Sequence, residues 1–158
     1  MNFQGKPAEP VHNKHKTYKS VVEYMATDLI TFTADQKIED AMDRLLASRI
    51  SGAPVLNEKR QIIGMLSEKD CLRVILENAY YNMPPGEGRV SSYMSTEVVT
   101  ISADEDVLAV AERFLKSHFR RFPVIDKGRL VGQVSRRDIL RAAMEIKKTS
   151  WKEKAEQK

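Results

Sequence analysis

Two stretches of this chain are variants of one another. Gly64-Met65-Leu66-Ser67-Glu68-Lys69-Asp70 returns as Gly132-Gln133-Val134-Ser135-Arg136-Arg137-Asp138. Upstream of each, Tyr24-Met25, Thr27, Thr31, Ala34-Asp35 and Pro54-Val55 return as Tyr93-Met94, Thr96, Thr100, Ala103-Asp104 and Pro123-Val124. The second copy is one residue shorter between its proline and its glycine. A repeat of this length means one supersecondary unit used twice, with equivalent side chains arriving in pairs.

The chain has 158 residues, 42% hydrophobic and 30% charged, enough for a packed core in an ordinary globular domain. No apolar run approaches the ~18 residues of a membrane span, and residues 1–19 lack the apolar stretch of a secretory signal. One cysteine, Cys71, excludes an internal disulfide and fits a reducing cytoplasm; its expected state is a buried structural thiol. Much of the net charge of +4 sits in the two ends, which read as solvated tails.

Residues 1–19 are polar, with Pro7 and Pro10, and read as a disordered or extended arm. The first repeat spans 20–78 and the second 90–147. Between them, 79–89 carries Pro84-Pro85-Gly86 and reads as a linker, and 148–158 is a charged tail. Each repeat reads as strand, helix, strand, strand, helix. Leu29–Phe32 and Val98–Ile101 are β-branched runs, each followed by a capping box, Thr33-Ala34-Asp35-Gln36 and Ser102-Ala103-Asp104-Glu105. Helical stripes follow at Ile38, Ala41, Met42, Leu45 and Leu46, and at Val107, Val110, Ala111, Phe114 and Leu115. Pro54 and Pro123 are expected at the first positions of the next strands. Polar turns then join hairpins whose second strands hold Gly64 and Gly132, read as close-approach positions or bulges. The last helices begin at Ser67 and Ser135.

A β-α-β-β-α unit with Pro-Val opening a strand and Gly-x-x-Ser-x-x-Asp leading into its last helix resembles the cystathionine-β-synthase (CBS) domain. Two in tandem resemble a Bateman module, over roughly residues 20–147. The resemblance implies an α/β fold of two repeats packed about a pseudo-twofold axis, with clefts that take AMP, ADP, ATP or S-adenosylmethionine. It implies a disk-like homodimer and regulation of another protein, here a separate effector. It assigns ribose and phosphate contacts to Ser67, Asp70, Ser135 and Asp138, and an adenine pocket to Thr31, Ala53, Pro54, Thr100, Phe122 and Pro123.

The chemistry suits those roles. A carboxylate accepts both ribose hydroxyls, and a helix start offers free N–H groups to phosphate. Yet Ser-x-x-Asp is also a capping pattern that does no more than start a helix, and both readings stand. The repeats differ at Ser51-Gly52 against Arg120-Arg121, and at Glu68 against Arg136. Arginine binds phosphate bidentately, so Arg120, Arg121 and Arg136 are expected to hold phosphate in the second repeat alone. Thr31, Thr100 and Phe122 have equally ordinary readings as strand and core residues.

His12, His15 and His118 form no catalytic or metal pattern, and no P-loop, dinucleotide fingerprint or zinc spacing occurs. The expectation is therefore a cytoplasmic, non-enzymatic sensor of adenosine nucleotides with no cofactor or metal. A ligand-free scaffold of the same fold is the alternative. A nucleic-acid binder rests on basic tails alone and would lose affinity steeply with salt.

Overall fold

In the computed structural model, which describes residues 18–81 and 87–156, the repeats form two three-stranded sheets of identical topology. In the first, β1 (Phe32–Thr33) runs parallel to β2 (Gly52–Leu56), and β2 pairs antiparallel with β3 (Ile62–Ser67). Helix α1 (Ile38–Ser48) links β1 to β2, and α2 (Glu68–Tyr81) follows β3. The second repeat opens with α3 (Val90–Tyr93), matching a 3-10 turn at Val21–Glu23 in the first. It continues with β4 (Ile101–Ser102), α4 (Val107–Leu115), β5 (Arg121–Asp126), β6 (Arg129–Ser135) and α5 (Arg136–Glu156). The expectations for residues 1–17, His12 and His15 among them, and for Pro84-Pro85-Gly86 lie outside the described residues. Among those described, no helix is long and apolar enough to cross a membrane.

Several local expectations need correction. The first strands are shorter than Leu29–Phe32 and Val98–Ile101. Only Phe32–Thr33 and Ile101–Ser102 join their sheets, because the chain just upstream is committed elsewhere: Ala26 bridges Gln133, and Ser95 bridges Met65. Thr33 and Ser102 therefore lie in strands and cap nothing. Their carbonyls close turns on Gln36 N and Glu105 N, and the helices start later. The N-cap of α4 is Asp106, which accepts from Leu108 N and Ala109 N at 3.0 and 2.9 Å; the cap of α1 is Lys37, with no side-chain bond. Leu46 and Leu115, expected in the buried stripes, are 71% and 87% exposed. Helix α5 runs on through residues 148–156, whose Lys, Glu and Ala content favours helix.

Pro54 and Pro123 are the third residues of β2 and β5, not the first. Both strands are central, where proline is ordinarily excluded. The register removes the conflict. Pro54 faces Met65 and Pro123 faces Gln133, whose amides donate to Ser95 O and Ala26 O at 2.9 Å. Neither proline is asked for an N–H. β1 and β4 begin one residue too late to ask on the other side.

The shorter second copy is explained by its turn. In the first hairpin Asn57 Oδ1 accepts from Lys59 N and Gln61 N, and Arg60 takes a left-handed φ of 61°. In the second, Lys127 and Gly128 make a two-residue turn with both φ positive, at 49° and 78°.

The packing is reciprocal. Val21 and Tyr24, from the first repeat, lie in the core of the second with Ile101, Val110, Phe122 and Val134. Val90 and Tyr93, from the second, lie in the core of the first with Phe32, Ala41, Val55 and Leu66. Tyr24 Oη donates to Glu145 at 2.8 Å and Tyr93 Oη to Glu77 at 2.9 Å. The glycines sit where these segments cross. A Cβ on Gly64 would meet Ser95 O at 2.9 Å, and one on Gly132 would meet Ala26 O at 2.8 Å.

Candidate functional site

The two Ser-x-x-Asp motifs fold alike. Ser135 ends β6 and Asp138 lies in the first turn of α5. Ser135 N and Oγ both donate to Asp138 Oδ2 at 2.8 Å, and Asp138 N donates back to Ser135 Oγ at 3.2 Å. Ser67 and Asp70 repeat this at 2.9, 2.8 and 3.3 Å. The capping reading is thus realised in both copies. It leaves the second carboxylate oxygen of each aspartate for other work.

That oxygen differs between the copies. Arg141 donates to Asp138 Oδ1 at 3.1 Å and to Tyr24 O at 3.3 Å. Its counterpart Arg73 makes the equivalent bond, to Tyr93 O at 2.8 Å, and sits over the Tyr93 ring. The Arg141 side chain is 56% exposed and that of Asp138 17%, so solvent screens their ion pair in part.

A cleft of about 270 Å³ opens beside Asp138. One wall is the segment Ala26, Asp28, Leu29 and Ile30, held against β6 by the reciprocal backbone bonds of Ala26 and Gln133. Ile50 and Gly52 enter from the start of β2, and Arg121 from the start of β5; Gln133, Ser135 and Asp138 complete it. It is therefore built from both repeats. It offers two carboxylates, one guanidinium, a hydroxyl and an amide above an aliphatic floor, a lining suited to a polar ligand with a flat apolar part.

Of the residues singled out in sequence, Ser135, Asp138 and Arg121 meet in this cleft. Arg120 and Arg136 are exposed beside it, joined by a backbone bond from Arg136 N to Arg120 O at 3.2 Å. Ser67 and Asp70 hold the equivalent place in the first repeat. Thr31 and Thr100 are half-buried and do not line the cleft. Ala53, Pro54 and Pro123 are buried in the central strands. Phe122 is 1% exposed and packs on Phe114 at 4.6 Å, because strand alternation turns it inward where Arg121 turns out. Its place is the core, not the cleft wall. His118 stacks on Phe119 at 4.5 Å. Asp28, Ile50 and Gln133 carried no sequence signal, since each enters only through the crossing of the two repeats. Cys71 is buried as expected, and burial, with Asp70 and Glu68 nearby, pushes its thiol pKa up.

A family model described as "CBS domain" matches residues 21–77 and 90–145. Among solved structures, CBSX2 in complex with AMP superposes with a TM-score of 0.68 at 25% identity, over 81% of this chain and 98% of that one. A second CBSX2 structure, described as a CBS-pair protein from Arabidopsis thaliana, superposes at 0.70. The CBS domain pair of protein MJ0100, in complex with 5'-methylthioadenosine and S-adenosyl-L-methionine, superposes at 0.64 and 25% identity, over 79% and 95%. Among curated sequences, the uncharacterized protein MJ1225 of Methanocaldococcus jannaschii is 29% identical over 77% of this chain, and inosine-5'-monophosphate dehydrogenase of Aquifex aeolicus is 28% identical over 86%. The chain spans only 41% and 26% of the length of these two curated relatives.

Proposed function

The chain belongs to the CBS-domain family as a tandem pair, and on that premise we propose that it is a regulatory sensor of adenosine ligands that acts on a separate effector in the cytoplasm. The observation that carries this reading is the inter-repeat cleft, where Asp138, Ser135 and Arg121 converge. Relatives of the same architecture hold AMP, or 5'-methylthioadenosine and S-adenosyl-L-methionine. Asp138 Oδ1 accepts ribose hydroxyls as Arg141 swings aside, and Oδ2 remains fixed by Ser135. Arg121, with Arg120 beside it, takes phosphate. The adenine lies against Leu29, Ile30 and Ile50. Signalling requires only that ligand favour one packing of the repeats over another. No catalytic step is part of this reading.

Calorimetric titration with AMP, ADP, ATP, S-adenosylmethionine and adenosine tests it. Binding of at least one is expected. Arg120→Ala with Arg121→Ala is expected to weaken AMP or ATP about 10-fold or more, on the strength of charge-assisted hydrogen bonds, and adenosine far less. Equal losses would remove phosphate recognition from the reading. The closed Ser-Asp boxes favour the second reading, a ligand-free interaction module, and absence of heat with every ligand would favour it over the sensor.

Pairing with a second copy belongs to the same proposal. Leu46 on α1 and Leu115 on α4 are equivalent and exposed, as are Leu72 on α2 and Leu140 on α5. Exposed leucines at equivalent positions of both repeats suit a self-complementary interface. Light scattering is expected to give a dimer, and Leu46→Glu with Leu115→Glu a folded monomer; a monomeric wild type would sink this part.

A further inference from the structure

The exposed leucines are the same in both repeats; the charges around them are not. In each repeat the leucines stand on two helices packed against one another, α1 with α2 and α4 with α5. On α2, Glu68, Leu72, Leu76 and Tyr80 recur every fourth residue and form one exposed line along the helix. The equivalent line on α5 is Arg136, Leu140, Met144 and Lys148, again exposed throughout. Glutamate opens the first line and arginine the second. On α1, Glu39 and Asp43 lead to Leu46 at steps of four and three, and neither has a cation partner among the described residues. On α4 the same positions are Leu108 and Glu112, and Glu112 is already paired with Lys116 at 3.8 Å. Whole helices show the same contrast. α1 and α2 carry six acidic and three basic residues, net −3, whereas α4 and α5 as far as Lys148 carry three acidic and six basic, net +3.

A twofold pair can be built on these faces in two ways. Either each repeat meets its own kind, acidic on acidic and basic on basic, or each meets the other kind and both contacts join opposite charges. We propose that the chain pairs with a second copy of itself head to tail, the α1–α2 face of one copy on the α4–α5 face of the other. This rests on the pairing proposed above and specifies its orientation. The leucines offer the same apolar contact in either arrangement, so they stabilise the pair without choosing between the two. The choice falls to charge, which fixes register and suppresses wrong partners more than it adds affinity. Arg136 and Arg137 at the start of α5, and Lys147 and Lys148 about three turns further on, then meet carboxylates of the other copy instead of their own kind.

The test is cross-linking with a short bis-maleimide in Ala47→Cys, Lys116→Cys and the double variant. Both positions are exposed, and they adjoin Leu46 and Leu115 without removing them. Wild type is the control, since its one thiol, Cys71, is buried. Light scattering checks that each variant is a dimer, and circular dichroism that it is folded. Each single variant is expected to give little covalent dimer. The double variant is expected to give mostly covalent dimer, with position 47 of one copy joined to position 116 of the other in peptide mass maps. In wild type, the dissociation constant from sedimentation velocity is expected to rise about 3-fold or more between roughly 50 and roughly 500 mM sodium chloride, as salt screens exposed charges. Ready cross-linking of either single variant to itself, or a dimer whose affinity does not fall with salt, overturns the head-to-tail arrangement and leaves pairing itself standing. A dimer that no variant cross-links lies on other surfaces and overturns it equally. A monomeric wild type overturns the pairing and its orientation together.

Discussion

A chain shortened to begin at Thr27 is expected to lose the fold of its second half, more than a hundred residues downstream in places. Val21 is fully buried and Tyr24 6% exposed in the core built on β4, β5 and β6. Removing them deletes a valine worth ~1.5–3 kcal/mol of burial and a large aromatic worth ~3–5 kcal/mol. The cut also breaks the two Ala26–Gln133 backbone bonds, Val21 N to Glu105 O at 3.1 Å and Tyr24 Oη to Glu145 at 2.8 Å. The total is comparable with the ~5–15 kcal/mol that holds a whole domain together. Urea unfolding followed by near-ultraviolet circular dichroism checks this. A chain beginning at Tyr18 should unfold cooperatively, whereas one beginning at Thr27 should show no native baseline. A cooperative transition in the shorter chain within a few tenths molar of the longer one would refute the interlocked cores.

The second large effect is expected from one methyl group. In Gly132→Ala the new Cβ would stand 2.8 Å from Ala26 O and closer still to the Met25 sulfur. The Met25 side chain can turn away. The Ala26 carbonyl cannot, because it accepts from Gln133 N at 2.9 Å in the bridge that holds the crossing segment. Overpacking of this kind costs about 1–3 kcal/mol, and each kcal/mol lowers Tm by roughly 2–4 °C at this chain length. Gly64→Ala, against Ser95 O at 2.9 Å and the Met94 sulfur at 2.6 Å, should behave alike. Differential scanning calorimetry of the two variants decides the matter. An unchanged Tm would mean that the glycines mark the neighbouring strand irregularities and nothing more.

Most of the architecture was legible because the signals were local and doubled. The hairpins, the Pro-Val strands, the helical stripes at Ile38–Leu45 and Val107–Phe114 and the buried Cys71 all follow from spacing within one repeat. The family resemblance followed from their order. What escaped depended on contacts between repeats. Thr33-x-x-Gln36 has the letters of a capping box, yet Thr33 is claimed by pairing with Leu56. Leu46 and Leu115 fit the buried stripe by period but fall on its outer edge. Gly64 and Gly132 were legible as close approaches, but not that the approaching atoms belong to Met94-Ser95 and Met25-Ala26. The cleft shows the same division. Ser135, Asp138 and Arg121 stand in motifs or departures from them, whereas Asp28, Ile50 and Gln133 become neighbours only when the first repeat is laid across the second. Phe122, chemically apt for a purine, was assigned inward by the pleat.

The exchange of Val21–Ala26 for Val90–Ser95 also sets an order of events during synthesis on the ribosome. The first core needs nothing beyond Ser95, the partner of Met65, so it can close while the rest of the chain is still being made. The second cannot close without the segment synthesised near the start, which must wait for Gln133 to emerge. A contact of such long sequence separation forms slowly. Until then Val21 and Tyr24 have no core to enter, and the nascent first half carries an unpaired apolar arm whose only docking place does not yet exist.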